Sequence, residues 1–321
     1  MPDSRKPKKW FLFQPMMMKV VIGLMPCLIG SVYFFGFRAL AVTAWVLVFG
    51  IAAEGVFTYP KGKPVTSAVF VTCLIFSLSL PPTIPYWMAI VGIVFGVVFG
   101  KMVFGGFGYN VYNPAMVGRC FIYIAFPIAL TNQWVEPFSK GLGGVGNWSP
   151  LSPVDTVSMA TPLEILRSGT EFPVSKLFWG NISGCLGETS ALLILLGGLF
   201  IIIAKVAPWR MALSCFLGGI LMTTVLNWVG VAGVPDPLTF LLAGSFLFGA
   251  FFVVTEPVSG PKTKPAQWIY GFLIGILVII LRRYSNFSEG VMFAVLFMNT
   301  FVSIMDIGVK SMQKKKSTET S

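Results

Sequence analysis

The sequence contains no histidine, and only 12 of its 321 residues are Asp or Glu. Without histidine, the chain lacks the commonest metal ligand and the side chain best suited to proton transfer near neutral pH. Its five cysteines (Cys27, Cys73, Cys120, Cys185 and Cys215) stand at least 30 residues apart, fall in or beside apolar runs, and form no CxxC. That spacing argues against a zinc, haem or iron–sulfur centre built by this chain alone, and for buried thiols that pack as small hydrophobes. Charged residues make up only 11% of the chain, far below the share that keeps a soluble domain in solution.

Apolar sequence fills the place of the missing charge. Hydrophobic residues account for 55% of the chain, and the mean hydropathy is +0.82. Runs suited to crossing a bilayer cover Val20–Phe37, Ala39–Phe57, Val65–Leu80, Tyr86–Gly100, Pro114–Leu130, Ile182–Ala204, Met211–Val229, Leu238–Thr255, Ala266–Leu281 and Gly290–Met305. They show no barrel-like alternation, so the reading is an all-α polytopic membrane protein with about ten transmembrane helices. The first run follows a polar, basic leader and lacks a small-residue cleavage site, which reads as a membrane helix rather than a signal peptide.

A net charge of +11 could suggest nucleic acid, but the positions of the charges reject it. Threading ten spans from a cytoplasmic N-terminus places only Arg38, Lys140, Arg167, Lys176, Arg282 and Arg283 outside, and the other 17 of 23 basic residues inside. This is the positive-inside bias of a multi-pass cell-membrane protein, the bacterial inner membrane being the natural setting, with both termini cytoplasmic.

The two halves resemble one another at a shift of about 175 residues. Phe37-Arg38-Ala39-Leu40 answers Trp209-Arg210-Met211-Ala212-Leu213, and Leu80-Pro81-Pro82-Thr83 answers Glu256-Pro257-Val258-Ser259. Trp87 answers Trp268, and Asn113-Pro114-Ala115-Met116 answers Glu289-Gly290-Val291-Met292. Five helices per copy is an odd number, so the second copy runs upside down, and proline-broken segments at matching positions point to a site between the repeats. The resulting division is a leader at 1–19, a first membrane repeat at 20–130, an outer loop at 131–181, a second repeat at 182–306 and a basic tail at 307–321.

Within the outer loop runs Asp155-Thr156-Val157-Ser158-Met159-Ala160-Thr161-Pro162-Leu163-Glu164. On pattern alone this is a helix start, with Thr161 as N-cap, Pro162 at the first helical position and Glu164 at the third. Ionisable residues in or beside the spans are the other functional candidates. Threading puts Glu54, Glu256 and Asp306 near the inner face, and Glu188 and Glu289 near the outer one. The plainer alternative for each is a helix cap or a pairing with Lys101, Arg119 or Arg282.

Across essentially its whole length the chain resembles the RnfD/NqrB family of membrane redox subunits. The likeness rests on Ser79-Leu80-Pro81-Pro82-Thr83, Phe99-Gly100-Lys101, Phe104-Gly105-Gly106-Phe107-Gly108, and Asn113-Pro114-Ala115 with Gly118-Arg119. It continues through Gly187-Glu188-Thr189-Ser190, Thr255-Glu256-Pro257-Val258-Ser259, and Glu289-Gly290-Val291-Met292 to Met305-Asp306. The resemblance implies FMN held by a phosphoester on Thr161, within a motif formed by Asp155, Ser158, Ala160 and Thr161. Met159 stands where that motif usually has glycine. It further implies cation handling at Glu256 and Asp306, and a second, non-covalent flavin such as riboflavin bordered by the Gly105–Asn113 segment. The partners it implies are an outer-side flavoprotein, iron–sulfur subunits, and Na+ or H+.

Within that family, the short leader and Met102, where the NqrB branch typically has glutamate, favour the RnfD branch, which couples ferredoxin/NAD electron transfer to ion transport. The alternatives are an NqrB-type subunit of a sodium-pumping NADH:quinone reductase, a flavin-free inverted-repeat transporter or channel, and a structural anchor. Arg167 and Lys176 are the nearby cations that could neutralise a phosphate.

Reporter fusions test the threading. Those placed after Lys63, Lys205 and Lys316 should read cytoplasmic, and those after Lys140 and Asp236 should read external. A cytoplasmic Lys140 fusion would overturn the outer placement of the loop.

Overall fold

The computed structural model describes residues 10–131, 134–138, 142–148, 161–285 and 290–319. A two-residue strand β1 (Phe11–Leu12) pairs in parallel with β2 (Val65–Thr66), and the other regular structure among the described residues is helical. In the first half α1 (Pro15–Phe35) and α2 (Arg38–Thr58) precede β2, followed by α3 (Ala68–Leu78) and α4 (Tyr86–Val97). A π-helical turn (Val98–Met102) extends α4, and α5 (Pro114–Ala125) and α6 (Pro127–Thr131) follow. Two short helices, α7 (Pro162–Arg167) and α8 (Val174–Trp179), lead into the second half. That half comprises α9 (Ala191–Ile203), α10 (Trp209–Trp228), α11 (Pro237–Leu242), α12 (Phe246–Phe248) with a π-helical turn (Gly249–Val253), α13 (Lys264–Tyr284) and α14 (Val291–Glu319).

The chain is an all-α polytopic membrane protein. Five helices, α1, α2, α10, α13 and α14, are long and apolar enough to cross a bilayer, and α3, α4, α5 and α9 are shorter apolar helices. The described part of each expected run coincides with one of these helices, with α5 and α6 in tandem for Pro114–Leu130, or with α11 and α12 in tandem for Leu238–Thr255. The departures have local causes. The run at Ile182–Ala204 is helical only from Ala191, because Ser183, Gly184, Gly187 and Thr189 break it, and Ser190 caps the helix by accepting from the Leu193 N–H at 3.4 Å. The eighth run breaks at 243–245, where Gly244 adopts a left-handed φ of +63°.

With 11 and 13 residues, α3 and α9 are roughly 16 and 20 Å long, well short of a ~30 Å hydrocarbon core. Irregular backbone makes up the difference, and its polar groups are bonded within the protein. The Leu186 and Gly187 N–H groups donate to the carbonyls of Leu80 (2.9 Å) and Leu78 (2.7 Å), so the loop before α9 closes the end of α3. Arg38, fully buried at the start of α2, donates to the carbonyls of Pro82, Thr83 (3.1 Å) and Ile84 (2.6 Å), which lie in the proline-rich break between α3 and α4.

The two halves pair their helices alike. Second packs on fourth (α2 on α4, α10 on α13), fourth on fifth (α4 on α5, α13 on α14), and the first and last helices of each half meet across the middle (α1 with α9, α5 with α14). Close approach comes from small residues, as at membrane helix interfaces generally. A Cβ on Gly275 would lie 2.1 Å from the Cys215 carbonyl oxygen, and one on Gly197 only 1.9 Å from that of Gly23. One sequence correspondence fails in detail. Arg210 is half-buried over the Trp209 ring at 5.0 Å, whereas its counterpart Arg38 is sealed inside.

Candidate functional site

Thr161 stands in extended backbone immediately before α7. Its hydroxyl accepts from the Glu164 N–H at 3.4 Å, and its own N–H donates to a Glu164 carboxylate oxygen at 3.0 Å. This is the capping box that the local sequence dictates. The same side chain also lines a cavity with Trp134, Leu163, Cys185, Glu188 and Gly244.

Two buried guanidinium groups lie behind residues that line that cavity. At its floor, Glu188 pairs with Arg119 of α5 at 3.2 Å, and Arg119 also donates towards the Cys185 sulfur at 3.5 Å. Gly244, which also lines it, packs closely against Arg282 of α13, since a Cβ there would lie 3.2 Å from Nη2. Arg282 is fully buried and donates to the Phe240 carbonyl at 2.8 Å, which the break after α11 frees. Thr161 thus stands at a helix start beside a cavity whose lining residues Glu188 and Gly244 adjoin the buried guanidinium groups of Arg119 and Arg282. Neither cation expected from the sequence lines this cavity. Arg167 is used by the Ser285 carbonyl (2.8 Å), and Lys176 is exposed on α8. Asp155, Ser158, Ala160 and Glu289 lie outside the described residues.

At the opposite, lysine-rich end the acidic candidates separate. Glu54 and Lys101 form a buried ion pair at 2.6 Å. Thr66 completes a triangle, its N–H (3.0 Å) and hydroxyl (2.7 Å) donating to the other Glu54 oxygen while the hydroxyl accepts from Lys101 at 3.1 Å. Asp306 of α14 accepts from the N–H groups of Lys262 and Thr263, both at 2.9 Å, and from the Thr263 hydroxyl at 2.7 Å. It therefore closes the N-terminus of α13 from a neighbouring helix. Glu256 accepts from the Ser259 hydroxyl in the proline-rich turn. Together with Lys101, Asn110, Asn113 and Thr255 it lines a cavity between the two halves. That cavity has about 40 Å³ open to the centres of water molecules, room for a few waters. Among the described residues no three acidic or cysteine side chains gather as a metal site.

The sequence profile of the NQR2, RnfD, RnfE family matches residues 9–315. The chain belongs to this family. It is 37% identical over 299 residues to a subunit of the Na(+)-translocating NADH-quinone reductase of Pseudoalteromonas atlantica, covering 92% of this chain and 71% of that one. Against the corresponding reductase subunit of Ectopseudomonas mendocina it is 38% identical over 283 residues, 86% of this chain and 67% of the relative. Against a subunit of the ion-translocating oxidoreductase complex of Alcanivorax borkumensis it is 32% identical over 308 residues, 90% of this chain and 89% of the relative. The NQR2, RnfD, RnfE family consists of membrane subunits of ion-translocating oxidoreductases, and this chain is one of them.

The buried pair between Glu54 and Lys101 yields a stability prediction. Breaking it from one side, by Glu54→Gln or Lys101→Met, should cost about 3–5 kcal/mol, because the remaining charge is left in an apolar interior. The double variant should recover part of that loss. Thermal unfolding in detergent checks both, and additive losses would contradict the coupling.

Proposed function

We propose that this subunit carries FMN as a phosphoester on Thr161, on the outer side of the membrane. There it relays electrons between an outer flavoprotein and iron–sulfur partners of an Rnf-type complex. The observation that carries this reading is Thr161 itself, a buried threonine that opens α7 and lines a cavity with Glu188, the partner of the buried Arg119. Esterification through the phosphate would leave the isoalloxazine, which supplies the electron chemistry, unmodified. The chain's own contribution is to hold the tether at a fixed helix start and to keep the site over the sealed bundle.

Ion handling belongs to the opposite end. Glu256 faces the inter-half cavity with Lys101, and the glycine segment before α5 borders the same space. Gly105, Gly106 and Gly108 hold φ of +114°, +98° and +90°, and the segment they shape reaches the cavity through Phe107, Asn110 and Asn113. Na+ or H+ would pass this region, and a second flavin of the riboflavin type would lie against the same segment. Asp306 supports it by fixing the start of α13.

The Rnf-type assignment draws on Met102. It is buried beside Lys101, where the resemblance puts a glutamate in the NqrB branch, and Lys101 is matched by Glu54 instead. The higher identity to the NADH-quinone reductase relatives, 37% and 38% against 32%, favours the second reading, a sodium-pumping NADH:quinone reductase subunit. A flavin at Thr161 is common to both.

Thr161→Ala should abolish gel-resistant flavin fluorescence while the chain still inserts, since losing the cap costs only about 1 kcal/mol. Thr156→Ala and Ser158→Ala should keep the fluorescence, and electron transfer through the complex should collapse in the Thr161 variant alone. Covalent flavin surviving in Thr161→Ala would reject the reading.

A further inference from the structure

At the lysine-rich end, α2 runs into a short 3-10 turn (Tyr59–Lys61) that Gly62 closes with a left-handed φ of +63°. The 21 residues of α2 are roughly 32 Å long, enough to cross the hydrocarbon, so this turn stands at its boundary. Beside it the Trp10 carbonyl accepts from the Val65 N–H at 2.9 Å, where β1 and β2 pair. Strands of two residues add little to folding. Their effect is to hold Trp10 against Tyr59, with ring centroids 5.7 Å apart and ring planes at 29°. With α2 and β2 these exposed rings line a groove with about 300 Å³ open to the centres of water molecules, the scale of a small-ligand site. Gly55, Val56 and Val65 make its apolar lining, and a Cβ on Gly55 would meet only Val65, at 3.9 Å, among the described residues. Lys63 lines the groove as well, and Lys61 is exposed in the adjoining turn. No acidic side chain among the described residues lines it, and Glu54, one position before Gly55, is held inward by Lys101.

We propose that this groove binds one anionic phospholipid of the adjoining leaflet, with its phosphate at Lys63 and an acyl chain along α2. The inference is independent of the Thr161 reading. Tryptophan and tyrosine favour the depth of the lipid headgroups, where an apolar ring and a polar edge are both served. Each lysine at that depth strengthens the hold on an anionic head by about fivefold. Beyond the groove Val56, Ala52 and Val48 are exposed at helical spacing, an apolar track leading into the hydrocarbon. Thr58 gives a further sign. It lines the groove and is only 8% exposed, yet its hydroxyl has no hydrogen-bond partner among the described residues. A buried hydroxyl left so is a donor for a lipid ester or phosphate oxygen. An apolar helix of another subunit would cover Val56 but leave the lysines and Thr58 unmatched.

The test is native mass spectrometry of the full-length chain in mild detergent, titrated with phosphatidylglycerol or with phosphatidylcholine. The wild-type chain should retain one phosphatidylglycerol in preference to phosphatidylcholine. Lys61→Gln combined with Lys63→Gln should weaken phosphatidylglycerol by about 25-fold and leave phosphatidylcholine unchanged. Gly55→Leu, which fills the groove while both lysines stay, should abolish the selective retention. Lys264→Gln combined with Lys310→Gln removes the same charge elsewhere at the same end and should change nothing. Equal losses in the two lysine doubles would mean general surface attraction and would overturn the inference. A Gly55→Leu chain that keeps its lipid would overturn it too. So would a wild-type chain that retains no lipid while Gly55→Leu sheds a neighbouring subunit from the intact complex, since the groove would then be a protein interface.

Discussion

A broken helix in an apolar bundle exposes carbonyl and amide groups that lipid cannot satisfy, and that constraint organises this molecule. The breaks fall after α3, before α9 and between α11 and α12. Each is closed from within the protein. The α3 end receives two amides from the loop before α9 and the guanidinium of Arg38, while the break after α11 receives Arg282. Buried arginines are costly unless well bonded, and these serve backbone that would otherwise be more costly still.

The opposite end uses charge differently. There the groups are matched locally: Lys101 with Glu54 across Thr66, and Asp306 with the start of α13. Among the described acidic candidates at this end, only Glu256 opens onto the cavity between the halves. One end thus uses guanidinium groups to close broken backbone. The other presents a carboxylate beside an ion pair, a setting suited to a small cation. Within the proposed function, electrons and ions are handled at different ends of one bundle. The paired first helices (α1 with α9) and last helices (α5 with α14) are the contacts through which one end would affect the other.

Much of this was legible in the sequence. Composition and run length pointed to the fold class, and the Leu80–Pro85 and Glu256–Pro261 prolines marked irregular backbone that the structure retains. Thr161, Pro162 and Glu164 signalled a helix start, and the capping box is there. What stayed hidden depended on three-dimensional closure. Apolar content extended the sixth run through 182–190, although Glu188 inside it signalled a loop turned inward. Threading placed Arg38 and Arg282 on the outer side, yet each lies on the buried stripe of its helix, Arg38 with Ala39, Val42 and Val46, Arg282 with Gly275 and Val278. That periodicity was the available sign. Gly244 carried none, because a single glycine in an apolar run does not reveal which neighbour it leaves room for.

The central claim is a covalent flavin on one residue, and peptide mapping of the wild-type chain by mass spectrometry tests it most directly. Tryptic digestion should release the peptide that ends at Arg167 with one FMN-derived adduct, and fragmentation should assign the adduct to Thr161. An unmodified peptide, or an adduct assigned to any other residue, would contradict the account.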